Sequence, residues 1–121
     1  MADHFIFIGW KNAVPGREKQ ALELGQKSVE FFARMAKDGL IKNVRNYQLA
    51  PHGGDLNYFW IVSGEADKLA RVKQDPEFIE IMIQGDFCLE SYGVVDGVAG
   101  DTATKWTGTW AKLSGNTSPF E

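Results

Sequence analysis

From Asn57 to Ser63 the chain reads Asn-Tyr-Phe-Trp-Ile-Val-Ser, uncharged, rich in aromatic and β-branched residues, and bounded by Gly53-Gly54 and Gly64. Such a stretch predicts a buried strand. Alternation places Leu56, Tyr58, Trp60 and Val62 on one face and Asn57, Phe59, Ile61 and Ser63 on the other, so both faces are largely apolar and both need cover. Residues 4–11 repeat the pattern, with Phe5 and Phe7 opposed to Ile6, Ile8 and Trp10. Residues 41–49 differ: Ile41, Asn43, Arg45, Tyr47 and Leu49 share a face, and the opposite face of Lys42, Val44, Asn46 and Gln48 is mostly polar, which suits an edge strand. Residues 50–55, with two glycines, form the hairpin loop joining it to the strand at 57–63. A fourth strand is expected over Tyr92–Val98.

Between the strands the period lengthens to that of a helix. After the Pro15-Gly16 turn, Leu22, Gly25, Val29, Phe32 and Ala36 recur at three- and four-residue spacing, the stripe expected to pack on a sheet, with Leu24, Phe31 and Met35 as a second stripe. Asp38-Gly39 closes that helix. A further helix is expected to start with Asp67 as its cap and to break at Asp75-Pro76, where proline is favoured in a first turn. The segment from Pro76 to about Ser91 is apolar nearly all round and is expected to be sandwiched. Residues 102–113 read as a helix capped by Asp101, with Ala103, Trp106, Trp110 and Leu113 on one stripe, although its threonines and Gly108 also tolerate a strand. Residues 114–121 form a polar tail after a single domain spanning 1–113.

The order strand, helix, strand, strand, split helix, strand is the split βαβ arrangement of an α+β, ferredoxin-like βαββαβ sandwich, here with an extra C-terminal helix. That fold centres strands one and three, the two that are apolar on both faces. Helices cover one face of the sheet only, and an open apolar face of several hundred Å² is rare on a monomer. Burial at ~25 cal/mol per Å² is worth on the order of 10 kcal/mol before association costs. A sheet-to-sheet homodimer is therefore expected, with two-fold symmetry.

Composition narrows the partners. The 121 residues carry a net charge of −3 and no basic run, which argues against nucleic-acid or anionic-membrane partners. One cysteine, Cys88, excludes an internal disulfide and a thiolate metal cluster. Met-Ala-Asp-His lacks the basic start of a secretion signal and the apolar run at 5–8 is too short to span a bilayer, so a cytoplasmic protein is expected and the sequon at Asn116 is read as chance.

The Pro15-Gly16-Arg17 turn, the Asp75-Pro76-Glu77-Phe78 break and the Tyr92–Val98 strand, in this order and spacing, resemble the dimeric α/β barrel superfamily over about residues 4–98. Its members include antibiotic-biosynthesis-type monooxygenases, muconolactone isomerase-like and EthD-like proteins, and stress-responsive A/B barrel proteins. The resemblance implies a cavity between sheet and helices that holds a hydrophobic or aromatic small molecule, and chemistry of a cofactor-independent oxygenase or isomerase. It equally admits a non-enzymatic, ligand-sequestering or stress-associated barrel, because fold does not dictate function.

Candidate site residues follow from residue type and place. Arg45, Tyr47 and His52 are the candidates for orienting or proton-transfer roles, and Tyr58, Trp60, Asn12 and Asn43 for ligand binding. Each has a plainer alternative: core or interface packing for Tyr58 and Trp60, a salt bridge for Arg45, a turn for Asn12, and loop filling for His52. His4 and His52 lie too far apart in sequence, without helical ligand spacing, to suggest a metal, and residues 65–91 contain no histidine to ligate a haem. No cofactor is expected. Cys88, within an apolar helix, is expected to be inert.

Overall fold

The computed structural model describes residues 3–115, which form four strands and four helices. In chain order these are β1 (His4–Trp10), α1 (Glu18–Lys37), β2 (Asn43–Gln48), β3 (Tyr58–Gly64), α2 (Ala66–Gln74), α3 (Pro76–Cys88), β4 (Gly93–Val98) and α4 (Gly100–Leu113). The sheet order is β2-β3-β1-β4, with every neighbouring pair antiparallel. The two doubly apolar strands are therefore central, as the α+β ferredoxin-like reading requires. The expected polar tail falls at 114–121, and all of it beyond Gly115, the Asn116 sequon included, lies outside the described residues.

Register decides which side chains share a face. Ile8 pairs with Trp60 and Ile6 with Val62, and this face meets the helices, where Ile6 and Val62 are wholly buried. Phe7 pairs with Ile61, Gly9 with Phe59, Arg45 with Ile61 and Tyr47 with Phe59, all on the opposite, open face. There Phe7, Phe59 and Tyr47 stack in a row across three strands, at centroid distances of 5.3 and 4.9 Å. Phe5 lies over Gly97 on the neighbouring strand, so close that a Cβ at Gly97 would meet its ring at 2.2 Å. Among the described residues no helix covers this face.

Helix α1 is rotated from the expected orientation. Leu24, Ser28, Phe31, Phe32 and Met35 are its buried residues, whereas Leu22 and Val29 of the expected stripe are 68% and 58% exposed. Both stripes fit a helical period. The second one faces inward together with Phe32 of the first, because Phe31 and Phe32 interlock with Phe78 of α3, at 6.1 and 6.3 Å between ring centroids. Ser28 hides the buried stripe from a hydropathy reading: its hydroxyl donates to the Leu24 carbonyl at 2.7 Å, satisfying itself inside an apolar face.

Several helix ends also differ. Glu65, not Asp67, precedes the first turn of α2, and Ala99, not Asp101, that of α4. The carboxylate of Asp3 serves α4 from the far end of the sequence, accepting from the Thr102 amide at 3.3 Å and the Thr102 hydroxyl at 3.2 Å. Asp75 does cap α3, accepting from the Glu77 amide at 2.8 Å, with Pro76 in the first turn. Helix α3 stops at Cys88, short of Ser91, because the chain beyond it pairs with residues 11–14: the Lys11 amide donates to Glu90, the Glu90 amide to Asn12 and the Val14 amide to Cys88. Nor is α3 fully sandwiched in one chain, since Ile83 and Phe87 are 62% and 56% exposed. Strand β2 begins at Asn43, and Ile41 before it turns into the core instead of sharing the face of Arg45.

The core assignment is tested by chemical denaturation. Phe31→Ala is expected to cost about 3–5 kcal/mol, as for other buried aromatic truncations. Gly85→Ala, whose new Cβ would lie 2.4 Å from the Tyr92 ring, is expected to cost about 1–3 kcal/mol through overpacking. An unchanged urea midpoint in either variant would contradict the packing described.

Candidate functional site

Between the helix-facing side of the sheet and α1 and α3 lies a cavity of about 420 Å³. Its floor is the end of the central strand pair, where Trp10 of β1 sits directly opposite Tyr58 of β3 in register. The two rings stack at 5.7 Å, and Trp60 meets Trp10 edge-on at 6.3 Å and Phe32 of α1 edge-on at 6.0 Å. Leu24, Gly25 and Ser28 of α1 and Ile81 of α3 supply the roof, and Leu89 and Tyr92 the far wall. The cavity reaches the surface beside Glu18 and Leu22, both exposed.

The mouth is held in place by the two ends it separates. Arg17 donates through Nη1 to the Phe87 carbonyl at 2.6 Å and lays its guanidinium 3.9 Å from the centroid of the Phe87 ring, tying the start of α1 to the last turn of α3. A cation there also complements the helix C-terminus. Gly16, at φ +88°, makes the tight turn before α1 and donates its amide to the Glu18 carboxylate at 2.7 Å. Asn12 joins the same region: its carbonyl accepts from the Glu90 amide at 2.7 Å and its Oδ1 from Asn57 Nδ2 at 3.4 Å.

Chemically the cavity is aromatic and nearly uncharged. Among the described residues Glu18 at the rim is its one charged lining residue, and no cation lines it. Polar character comes from the Tyr58 and Tyr92 hydroxyls and the Trp10 and Trp60 indoles, none of which is hydrogen-bonded within the chain among the described residues. None is sealed off, because no buried side-chain nitrogen or oxygen there lacks a partner. Burial pushes the Tyr92 hydroxyl up to about 12, with Cys88 and Asp86 adding to the rise, so at neutral pH it is a hydrogen-bond donor. Burial also pushes the Cys88 thiol up.

The sheet divides the candidate residues. Tyr58 and Trp60 line the cavity, and Asn12 precedes its lining residue Ala13. Asn43, Arg45 and Tyr47 project from the opposite, open face, because their register partners there are Ser63, Ile61 and Phe59. His52 is exposed in the hairpin loop, where its Nδ1 donates to the Ala50 carbonyl at 3.0 Å and its ring lies over Gly54. Trp10, Ser28 and Tyr92 complete the cavity and were not singled out from sequence. Trp10 could have been, since alternation places it on the Ile6 and Ile8 face, but its pairing with Tyr58 required the register. Tyr92, just outside β4, carried no local signal. Among the described residues no group of three or more His, Cys, Asp and Glu side chains is arranged to hold a metal ion, and no helix is long and apolar enough to cross a membrane.

The sequence matches no family model and no curated protein. Solved structures do match its fold. A dimeric ferredoxin-like protein of unknown function from Thermobifida fusca aligns over 81% of this chain and 92% of its own, with a TM-score of 0.60 and 11% identity. SnoaB, a cofactor-independent oxygenase from Streptomyces nogalater, aligns over 82% of this chain and 95% of its own, with a TM-score of 0.54 and 18% identity. The hydroxynitrile lyase from Passiflora edulis aligns over 83% of this chain and 96% of its own, with a TM-score of 0.60 and 9% identity. At such identities the likeness speaks to architecture alone, and that architecture is the ferredoxin-like fold.

Proposed function

We propose that the chain pairs with a second copy through its open sheet face, and that each copy binds a planar aromatic molecule in the cavity between sheet and helices. The observation that carries this reading is the cavity itself. It is large enough for a drug-sized ligand, apolar in its lining, and furnished with hydroxyl and indole groups that have no partner among the described residues. Hydrophobic packing alone leaves no reason for two tyrosines and two tryptophans to meet around open volume. The stacked Trp10–Tyr58 pair offers a flat wall, and the free donors suit carbonyl or hydroxyl oxygens on the ligand.

As a reaction class we propose cofactor-independent oxygenation of such a molecule, with dioxygen as the oxidant, the ligand itself as the electron donor, one oxygen atom entering the ligand and the other leaving as water. SnoaB, similar in fold, supports this, while the hydroxynitrile lyase is a reminder that the same fold hosts other reactions. The protein's share of the chemistry is desolvation, orientation and hydrogen bonding to a ligand oxygen that gains negative charge, a role suited to the protonated Tyr92 hydroxyl. Tyr58 and Trp60 are then ligand contacts and Asn12 braces the mouth. Asn43, Arg45 and Tyr47 belong to the face where the second copy sits, and any proton transfer by His52 would take place outside the cavity.

Three measurements test this reading. Gly25 lines the cavity and has nothing within 4 Å of a Cβ built upon it, so Gly25→Leu has room to start a side chain that occupies the volume. It is expected to weaken calorimetric binding of 1-naphthol at least 10-fold while keeping or raising the melting temperature, since glycine inside a helix costs about 0.5–1 kcal/mol. Undiminished binding would place the ligand elsewhere. Absorbance titration at 295 nm should show a phenol with a midpoint near pH 12 that is missing in Tyr92→Phe. Because this pKa is higher in the folded state, the stabilisation it brings is complete below about pH 10 and fades as pH rises toward 12. Sedimentation at low micromolar concentration should give the mass of two chains, and Phe59→Asp on the open face the mass of one; a monomeric parent would sink the sheet-face pairing.

A further inference from the structure

Helix α4 packs little against the described residues of its own chain. None of its residues is buried, and Trp106, Trp110 and Leu113 are 64%, 51% and 82% exposed. With Ala103 these form a single apolar stripe along the helix. The opposite side is occupied with itself: the hydroxyls of Thr104, Thr107 and Thr109 each donate to the carbonyl four residues back, at 3.2 Å. Four threonines and Gly108 make this a weak helix former, and isolated helices of such length are marginal in water. The helix thus calls for a surface that one chain does not supply. Its root is nevertheless fixed, because the Ala99 amide donates to the Asp3 carbonyl at 2.7 Å and the Asp3 carboxylate caps Thr102.

Three features point to a second copy as that surface. Helix α4 leaves β4, an edge strand of the open sheet, after a single residue, so it is continuous with the face proposed above to pair. Its 14 residues span about 21 Å, enough to pass the edge strand of a facing sheet stacked roughly 10 Å away and reach that sheet's helix-facing side. In a face-to-face pair whose two-fold axis runs along the strands, β4 of one copy lies over β2 of the other, and at the β2 edge each copy carries an apolar groove of about 360 Å³. Val29, Ala33 and Ala36 of α1 form one wall of this groove and Val44 and Trp60 of the sheet the other, with no charged residue in its lining. The groove at the β4 edge, by contrast, is lined by Lys73 and Asp96, which form an ion pair.

We infer that α4 is a clasp, laying its Trp106–Trp110 stripe into the α1–β2 groove of the second copy. Each buried indole removes about 150–250 Å² from water, a large part of the ~800 Å² per partner typical of a stable interface. Trp60 and Phe32 line both this groove and the ligand cavity, so the clasp braces a wall of the site from behind. The inference rests on the sheet-face pairing.

Full-length protein carrying Trp106→Ser and Trp110→Ser, and separately Ala33→Glu in the groove, should each show a dimer dissociation constant raised at least ~100-fold by sedimentation equilibrium. The groove variant leaves α4 itself untouched, so it reads the contact even where the tryptophan variant loses its helix. Trp110→Cys combined with Ala33→Cys should form a disulfide-linked dimer under mild oxidation; the native Cys88 is buried and does not compete. A dimer as tight as the parent in both variants would overturn the clasp and leave the sheet pairing standing. A monomeric parent would remove both. A disulfide formed within one chain, at monomer mass, would put α4 back on its own subunit and overturn the inference.

Discussion

The arrangement depends on one constraint: β1 and β3 are apolar on both faces, and the helices of one chain can cover only one. Direct pairing of Ile8 with Trp60 and of Phe7 with Ile61 makes the two faces inseparable, since a residue buried beneath the helices always has neighbours committed to the other side. A one-residue slip would exchange the faces entirely. The covered face becomes a core along Ile6 and Val62 and opens into a cavity at the Trp10–Tyr58 end. The other face is left as a row of stacked rings from Phe7 to Tyr47. The cavity and the open apolar face are two sides of one sheet.

What keeps the cavity open is a set of residues that are small or internally satisfied where a large apolar side chain would fill it. Gly25 leaves free space beneath α1, and Ser28 turns its hydroxyl back on Leu24 instead of reaching into the volume. The bulky groups that remain are aromatic, rigid and edge-locked against one another, so they hold a shape rather than collapse into it. With carboxylate, among the described residues, only at the Glu18 rim, a ligand inside would meet dipoles and π-faces in place of charges. Such a site favours neutral molecules whose reactivity needs exclusion of water more than acid–base machinery.

The sheet was readable from sequence because alternation is a strict two-residue period: the central strands, the edge strand and the grouping of Tyr58 with Trp60 all follow from it. Which face meets the helices was not, since both are apolar. Helix α1 shows why. Its two candidate stripes fit the same period, and the buried one contains Ser28, which reads as polar until its bond to Leu24 is seen. Helix caps were legible where the partner is local, as at Asp75, and illegible at α4, whose cap comes from Asp3 at the other end of the chain. The site was half legible for the same reason. Tyr58 and Trp60 carry a strand signal, but Trp10 and Tyr92 join them only through register and through the pairing of residues 11–14 with the chain after α3.

The central claim is that the volume between sheet and helices is a binding site and not a packing defect. Crystals soaked with 1-naphthol test it most directly. The account predicts density for one ring system per chain against the Trp10–Tyr58 stack, with its oxygen within hydrogen-bond reach of Tyr58, Tyr92 or an indole nitrogen. A cavity closed by rearranged side chains, with no ligand inside it, would contradict the account and leave the aromatics to packing alone.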